Sequence, residues 1–239
     1  MKIGFIQSGA IGDILIGLPA AKWFVDHGYD VFWPISSSYV NFFRLAAPYV
    51  NFLTVPVELN SFDFLLGSPR KQLVDIGVQE VFTLYVYLGV NGERYNFGQP
   101  DNLPESLKLD EYKYAITGVP FSEKWNLSIV RNKSAEDLVL ESISAHIPFS
   151  LIHEAPSGRR RNISGDLPPN DCRRIVRVSE LTPSPLDWLA AFEEASVIAC
   201  EDSVYANLTE QMNLMNRKYL FLRSGCRDTP VFKNGWIFK

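Results

Sequence analysis

Residues 8–13, Ser-Gly-Ala-Ile-Gly-Asp, are the first segment whose residue types and spacing could support chemistry. They follow a short apolar run and precede a stretch with helical spacing of apolar residues. Gly9 and Gly12 let the backbone approach a ligand and adopt positive φ, and the amides at a helix start attract anions. Asp13 would repel a phosphate at that place, so the turn favours a base or a site for an acceptor hydroxyl. A simple helix cap is the alternative interpretation.

Two further polar turns lie in the second half of the chain. One is residues 201–203, Glu-Asp-Ser, between a strand pattern and a helix pattern; the other is residues 155–161, which end in three arginines. Arginines and the amides of a helix start are groups that bind an anion. The alternatives are that Ser203 is only an N-cap and that the arginines form a solvated loop. His153 ends a predicted strand and is more typical of a packed or surface histidine than of a catalyst.

The elements that must position these turns alternate between strand and helix patterns. In the first half, the strand candidates are rich in β-branched and aromatic residues, and the helix candidates place apolar residues on one stripe. The predicted strands are Ile3–Gln7, Val31–Ile35, Asn51–Val55, Phe62–Leu66 and Glu80–Tyr87, and the predicted helices are Ile11–Val25, Tyr39–Ala47 and Glu105–Thr117. Polar residues with glycine and proline predict a loop over residues 91–104.

The second half repeats the alternation. The predicted strands are Phe149–His153, Arg174–Val178, Val197–Cys200 and Lys218–Leu222, the last of which closes the sheet; the predicted helices are Ser134–Ala145, Pro185–Ala195 and one that runs to about Leu214. This order indicates parallel sheets covered by helices on both faces. A break near residues 118–126 predicts two α/β domains, 1–122 and 123–239. In such a chain the best-supported ligand location is the cleft between the domains, at the carboxyl ends of the strands.

Composition excludes several classes of protein. The 239-residue chain is 46% hydrophobic and 21% charged, which is typical of a globular protein and not of a disordered or fibrous one. A net charge of -4 argues against nucleic-acid binding by overall charge. No run approaches the ~18–20 apolar residues of a membrane span. Three cysteines without a CxxC pattern predict neither a disulfide scaffold nor structural zinc. The N-terminus has the pattern of a strand and not of a signal peptide, so we expect a cytoplasmic location.

Gly12-Asp13 followed by Leu18-Pro19-Ala20 resembles the N-terminal signature of the glycosyltransferases of family 9, the heptosyltransferase-like group. The resemblance implies the GT-B fold, in which two Rossmann-like domains face each other across a cleft. It also implies that Asp13 is the base that deprotonates the acceptor hydroxyl, with Gly9 and Gly12 on the acceptor side. The first domain would then face the acceptor, and the second would bind the nucleotide sugar.

The turn at residues 200–208 resembles the second signature of that family, Asp-Ser/Thr-Gly-x-x-His-Leu, whose helix start binds the donor diphosphate. Asp202 and Ser203 match it, whereas Val204 takes the place of the glycine and Asn207 that of the histidine. The resemblance implies that Asp202, Ser203 and Asn207 contact the donor.

A looser similarity over residues 152–160 places the donor loop of the family at Ser157, Gly158, Arg159 and Arg160. The resemblance therefore implies that these four residues bind the donor. Their arginines would meet the charge of the leaving group.

The implied reaction moves a sugar from a nucleotide-diphosphate donor to an acceptor hydroxyl by single displacement with inversion. No Asp-x-Asp motif occurs in the chain, so we expect a metal-independent enzyme without a cofactor beyond its substrate. The acceptor would be a surface glycan or, in a phage enzyme, a hydroxymethylated DNA base, for which Arg70, Lys71 and Arg94 are candidate cations.

Two other functions are weighed against this one. The substitutions at 204 and 207 suit a noncatalytic nucleotide-sugar-binding module of the same fold. A dinucleotide-dependent oxidoreductase is disfavoured because the chain lacks GxGxxG in its first turn.

Overall fold

The computed structural model describes residues 1–85, 87–90, 93–96, 103–154, 163–171, 174–179, 181–182, 184–222 and 229–239. The chain forms two compact units, Met1–Val130 and Arg131–Lys239. The sequence placed the boundary between residues 122 and 123. The assignment of one half to the acceptor and the other to the donor stays a prediction.

The first unit is built on a parallel sheet with helices between its strands. Its elements are β1 (Lys2–Ile6), α1 (Ile11–Asp26), β2 (Asp30–Ser36), α2 (Val40–Ala46), β3 (Asn51–Val55), α3 (Ser68–Asp75), β4 (Glu80–Thr83), β5 (Tyr87–Val90), β6 (Glu93–Asn96), α4 (Leu103–Ser106) and α5 (Leu109–Thr117). The sheet order is β3-β2-β1-β4, and every pair is parallel. The predicted alternation and parallel pairing are confirmed.

Close packing between α1 and β2 fixes the helix over the sheet. The ring of Trp33 is fully buried, and a Cβ placed on Gly17 would come within 2.7 Å of Trp33 Cη2. Glycine at this helical position therefore makes room for the indole. Because only the turn at residues 7–10 separates α1 from the carboxyl end of β1, the first turn of α1 is held at the edge of the sheet.

The strand predicted at Phe62–Leu66 is wrong. The chain there forms a π-helical turn, Asp63–Gly67, that continues into α3. Asn60 starts this turn, since its Oδ1 accepts from the Asp63 amide at 3.0 Å and its carbonyl accepts from the Phe64 amide at 2.9 Å. A short apolar run bounded by polar residues fits a buried strand and a buried helix equally well, so periodicity alone could not decide.

The region after β4 also differs from its prediction. The strand expected to reach Tyr87 ends at Thr83. A separate strand, β5, begins at Tyr87 and pairs antiparallel with β6, which lies inside the segment 91–104 predicted as a loop. The polar residues of this segment favoured a loop over a strand.

Helix α5 is anchored to α1 by buried polar contacts. The Tyr114 hydroxyl donates to the Ile16 carbonyl at 3.0 Å. At the start of α5, Asp110 forms an ion pair with Lys124, and both side chains are fully buried. The predicted helix break is confirmed, because Gly118 ends α5 with a φ of 70°. These contacts hold α5 against α1 and against the segment that carries Lys124.

The second unit repeats the layered arrangement. Its elements are α6 (Lys133–Ser142), β7 (Ser150–His153), β8 (Ile175–Arg177), α7 (Leu189–Glu194), β9 (Val197–Glu201), α8 (Val204–Gln211), β10 (Arg217–Phe221) and β11 (Trp236–Phe238). The sheet order is β11-β10-β9-β7-β8, and every pair is parallel. In the described part of the chain, no helix is long and apolar enough to cross a bilayer.

The prediction that β10 closes the sheet is wrong, because β11 pairs with its outer edge. Glu210, which is fully buried in α8, holds this last strand in place. Its carboxylate accepts from the Trp236 indole at 2.8 Å and from the Lys233 amide at 3.0 Å. Three residues are too short a run to show strand periodicity in the sequence.

Candidate functional site

Asp13 lies in the first turn of α1, at the carboxyl end of the first sheet. Its side chain is 22% exposed, so the carboxylate is sheltered but reachable from solvent. The N-cap residue of α1 is Ala10, which makes no side-chain cap hydrogen bond. The polar contact of Asp13 runs instead to Lys113, whose Nζ lies 3.4 Å from Oδ1.

The backbone conformation of this turn differs from the one predicted. Positive φ was expected at Gly9 and Gly12, but the residue that adopts it is Ala10, with a φ of 61°. Gly9 has a steric reason to be glycine, because a Cβ there would lie 3.2 Å from Phe64 Cε1. Gly12 lies within the first turn of α1. The side chain of Phe64 comes from the π-helical turn, so that turn packs against Gly9 at the site.

Lys113 is the side chain beside Asp13 that sequence reasoning missed. Its side chain is 2% exposed, and its Nζ donates to Gln7 Oε1 at 2.7 Å and to the Leu84 carbonyl at 3.0 Å. Burial lowers its pKa, while the charge of Asp13 opposes that shift. A lysine on a helix is an ordinary surface residue in a sequence, so nothing local to α5 could have identified it.

Gln7 and Tyr85 complete the polar lining at this end of the sheet. Gln7 Nε2 donates to the Gly9 carbonyl at 3.1 Å and to the Tyr85 hydroxyl at 3.2 Å. Burial raises the pKa of Tyr85, and the nearby charge of Asp13 raises it further, so the phenol is neutral. The turn is thus tied to the residues that follow β1 and β4.

In the second unit, Ser203 caps α8 and contacts a histidine. Its Oγ accepts from the Ala206 amide at 3.4 Å, which confirms the N-cap interpretation. The same oxygen lies 3.1 Å from His153 Nδ1. His153 ends β7, and Ser203 follows β9; because these strands are neighbours, their carboxyl ends bring the two side chains together.

His153 is neutral near pH 7. Burial lowers its pKa to about 4, and its ring lies 4.6 Å from that of Tyr205. A neutral imidazole has one acceptor nitrogen and one donor nitrogen. Since Ser203 Oγ already accepts from a backbone amide, its hydroxyl proton is free to be donated to Nδ1, which would leave Nε2 as the N–H donor.

Asp202 and Asn207, the other described donor candidates, are buried beside this pair. Asn207 Nδ2 donates to the Ser203 carbonyl at 3.0 Å, so the amide turns back onto its own helix. Its Oδ1 is buried without a hydrogen-bond partner. Asp202, Ser203 and Asn207 therefore share one helix start, as predicted. Their role in donor binding stays a prediction.

The remaining donor candidates, Ser157, Gly158, Arg159 and Arg160, lie outside the described residues. Within the described ranges, no group of three or more His, Cys, Asp or Glu side chains is placed to hold a metal ion. Cys200, the cysteine described there, is buried and has a free thiol. Burial raises the pKa of that thiol, so it is not activated as a nucleophile.

Comparison with solved structures identifies the fold. A glycosyl transferase of family 9 from Veillonella parvula DSM 2008 superposes with a TM-score of 0.69 at 10% identity, covering 100% of this chain and 86% of that one. The ADP-heptose lps heptosyltransferase II of E. coli gives a TM-score of 0.54 at 10% identity, covering 100% and 90%.

A third match is the iron-containing dodecameric glycosyltransferase TibC of enterotoxigenic E. coli H10407, with a TM-score of 0.55 at 13% identity, covering 100% of this chain and 64% of that one. No protein-family model matches the sequence, and no curated protein matches it. The chain has the fold of these glycosyltransferases. The predicted fold class, two α/β units on parallel sheets, is confirmed.

Proposed function

We propose that this chain is a glycosyltransferase that moves a sugar from a nucleotide-diphosphate donor to an acceptor hydroxyl. The observation that carries the proposal is the placement of Asp13. It stands at the helix start that follows β1, partly open to solvent and paired with the buried Lys113, in a fold shared with family 9 glycosyl transferases. A solvent-accessible carboxylate held in place by a second side chain is suited to general-base catalysis.

In the proposed reaction, Asp13 takes the proton of the acceptor hydroxyl as the oxygen attacks the anomeric carbon of the sugar. The bond between that carbon and the diphosphate oxygen breaks, and its electron pair leaves with the nucleoside diphosphate. Attack opposite the leaving group inverts the anomeric configuration. This single displacement needs one base and one site that stabilises the departing charge.

The leaving-group site is proposed at the start of α8. Helix amides at this end carry partial positive charge, and Ser203 is held there by His153 and by the Ala206 amide. Arg159 and Arg160 would add full positive charge, which makes the proposed reaction independent of metal. One fold relative, TibC, is iron-containing, so chelator treatment is a direct check: activity that survives EDTA supports metal independence.

Replacing Asp13 by Asn tests the base assignment. The amide keeps the shape of the side chain but cannot accept the proton, so transfer should fall by ~10²–10⁴-fold. Turnover would be measured with a panel of UDP-, ADP-, GDP- and CMP-linked sugars. Asp26→Asn is the matched control, because Asp26 lies on the same helix in an exposed pair with Lys22 and should leave turnover unchanged. Full activity in the Asp13→Asn protein would remove the assignment.

Donor binding is a separate test. Replacing Arg159 and Arg160 by Ala should weaken binding of ADP or UDP in calorimetry, because each arginine supplies a charged hydrogen-bond donor to phosphate. Lys71→Ala serves as the control, since Lys71 is exposed and paired with Asp75 at 2.6 Å. Unchanged affinity in the double arginine variant would contradict the proposed donor loop.

For the acceptor we propose a surface glycan, with a hydroxymethylated DNA base as the alternative. Of the cations considered for DNA, Lys71 is already neutralised by Asp75 and Arg70 is exposed on the same helix. The pairing of Lys71 leaves fewer unpaired cations on this helix for a polyanionic duplex, which supports the glycan. A mobility-shift assay at low salt with modified duplex DNA distinguishes the two: a shift would support DNA.

A noncatalytic binding module is the second candidate function. The observation in its favour is Asn207, whose side chain bonds to the Ser203 carbonyl where the family turn has histidine. Thermal-shift screening across the nucleotide sugars, followed by assays of transfer and donor hydrolysis, separates the candidates. A raised melting temperature with no turnover on any acceptor would favour the module.

A further inference from the structure

We propose that Lys113 is a positioning residue that holds the carboxylate of Asp13 for proton abstraction. The inference rests on the proposed function and deepens it. It assigns a role to a side chain 100 positions away in the sequence from the proposed base. Nothing in the sequence motifs points to α5, and the argument comes from the contacts of its buried lysine.

The geometry of Lys113 is that of a fixed ammonium group with one contact left for Asp13. An ammonium has three N–H donors. Two of them are used at ordinary hydrogen-bond lengths, 2.7 Å to Gln7 Oε1 and 3.0 Å to the Leu84 carbonyl. Both acceptors are uncharged, so the charge of Lys113 has Asp13 Oδ1, at 3.4 Å, as its ion-pair partner. Asp13 Oδ1 is itself buried and accepts no hydrogen bond from the described residues, so its contact with Nζ is an ion pair and not a third hydrogen bond.

The burial of Lys113 is the second part of the argument. Removing an ammonium from water is unfavourable unless it is paired, and an apolar side chain of similar volume would serve packing at lower cost. Burial lowers the pKa of Lys113, and the charges of Asp13 and Asp110 oppose this. A role in orienting the partly exposed carboxylate of Asp13 therefore explains the buried ammonium of Lys113 better than a contribution to the stability of the fold does.

A comparison within the same helix separates this role from a structural one. Asp110 and Lys124 are both fully buried, so that ion pair is closed to any ligand. In the Lys113–Asp13 pair, the lysine is 2% exposed and the aspartate 22%. The Lys113–Asp13 pair therefore has one buried member and one member that an acceptor can reach from solvent. With Oδ1 facing Lys113, Oδ2 is the oxygen placed to receive the acceptor proton.

Several groups surround Lys113 and enter its pH response. They are Asp13 on α1, Asp110 on α5, and the rings of Tyr85 and Tyr112, whose centroids lie 5.9 Å and 5.6 Å from Nζ. Burial keeps Tyr85 neutral up to high pH. The charge closest to Lys113 is that of Asp13, so removing the ammonium should be felt first at that carboxylate.

The test uses three variants of the full chain: Lys113→Met, which removes charge and donors; Lys113→Gln, which keeps a donor; and Lys113→Arg, which keeps the charge. In the Met variant kcat should fall ~10–100-fold, the scale of a misplaced catalytic group, while KM for the donor stays within about twofold. The acidic limb of the pH profile of kcat/KM should move to higher pH, because the carboxylate loses the cation that favours its charged form.

Partial rescue by Lys113→Arg, and not by Lys113→Gln, would show that charge is the property required. Lys22→Met is the control for loss of a lysine charge near α1, and it should change neither kcat nor the pH profile. Far-UV circular dichroism and melting temperature identify variants that do not fold. If the Met variant fails to fold, the Gln variant carries the same expectation for the pH profile.

The outcomes separate this inference from the proposed function. If the wild-type chain transfers sugar and Asp13→Asn does not, but the Lys113 variants keep the wild-type kcat and pH profile, the positioning role is wrong and the glycosyltransferase assignment stands. If the wild-type chain transfers nothing, carbon-detected NMR of the Asp13 carboxyl decides. A titration midpoint that rises in Lys113→Met supports the coupling, and an unchanged midpoint overturns it.

Discussion

The carboxyl end of the first sheet holds a charged pair, Asp13 and Lys113, whereas the carboxyl end of the second holds His153 and Ser203 in a pair that is neutral near pH 7. Both ends follow the same plan of parallel strands, with a helix that starts after a short turn at the end of a strand. In the first unit the partner of the helix-start residue comes from a remote helix, α5. In the second it comes from the adjacent strand, β7.

This difference shows what holds each pair of side chains in place. A neutral pair at the ends of adjacent strands needs only local pairing, because the sheet register already brings the strand ends together. A buried lysine has to be carried in by a helix that is itself anchored, and its desolvation must be offset by hydrogen bonds. The geometry of the Asp13–Lys113 pair is therefore more sensitive than that of the His153–Ser203 pair to substitutions far from the site.

The largest expected effect on stability breaks the anchor of α5. Lys124→Met leaves the buried carboxylate of Asp110 without its ammonium partner, and this should lower the free energy of unfolding by about 3–5 kcal/mol. Urea unfolding measures it. Lys71→Met is the control, because its pair with Asp75 is exposed and should contribute less than about 1 kcal/mol. A Lys124→Met protein as stable as wild type would refute the dependence of the first end on buried charge.

An intermediate effect is expected from the histidine of the second end. The pKa of His153 falls from 6.5 in an unfolded chain to about 4 in the folded one because of burial. Between these values the unfolded chain binds the proton and the folded chain does not. The free energy of unfolding should therefore fall as the pH is lowered from about 6.5 to about 4, by at most about 3 kcal/mol.

Urea unfolding at about pH 7 and about pH 4.5 tests this in wild type and in His153→Gln, which should lose that part of the pH dependence. His146→Gln replaces an exposed histidine and should leave the dependence as in wild type. Identical pH dependence in wild type and His153→Gln would contradict a buried, neutral imidazole.

The smallest expected effect is the loss of one cap. Ser203→Ala removes the oxygen that accepts from the Ala206 amide, which should cost ~1 kcal/mol of the free energy of unfolding. Ser203→Thr keeps a hydroxyl at the N-cap and should retain most of it. A Ser203→Ala protein as stable as wild type would show that the hydroxyl stabilises the fold neither through the Ala206 amide nor through His153.

Much of the fold follows from local pattern. The first five elements, β1 to β3 with α1 and α2, were predicted almost in full. A few residues suffice to distinguish a strand rich in β-branched residues from a helix with apolar residues along one face. Phe62–Leu66 was misassigned because its apolar run is too short to show a period. The strand at 236–238 escaped notice for the same reason, although Trp236 is secured by a buried carboxylate from α8.

The sequence by itself determined that Asp13 stands at the start of a helix after an apolar strand, and that Ser203 occupies the equivalent place in the second half. Both facts depend on neighbours in the chain, so local pattern suffices. Only the tertiary structure decided that Lys113 meets Asp13 and that His153 meets Ser203. The first contact depends on the packing of α5 onto α1, and the second depends on the strand order of a sheet. Packing and strand order are stabilised by many contacts between residues far apart in the sequence, so no single stretch of sequence specifies them.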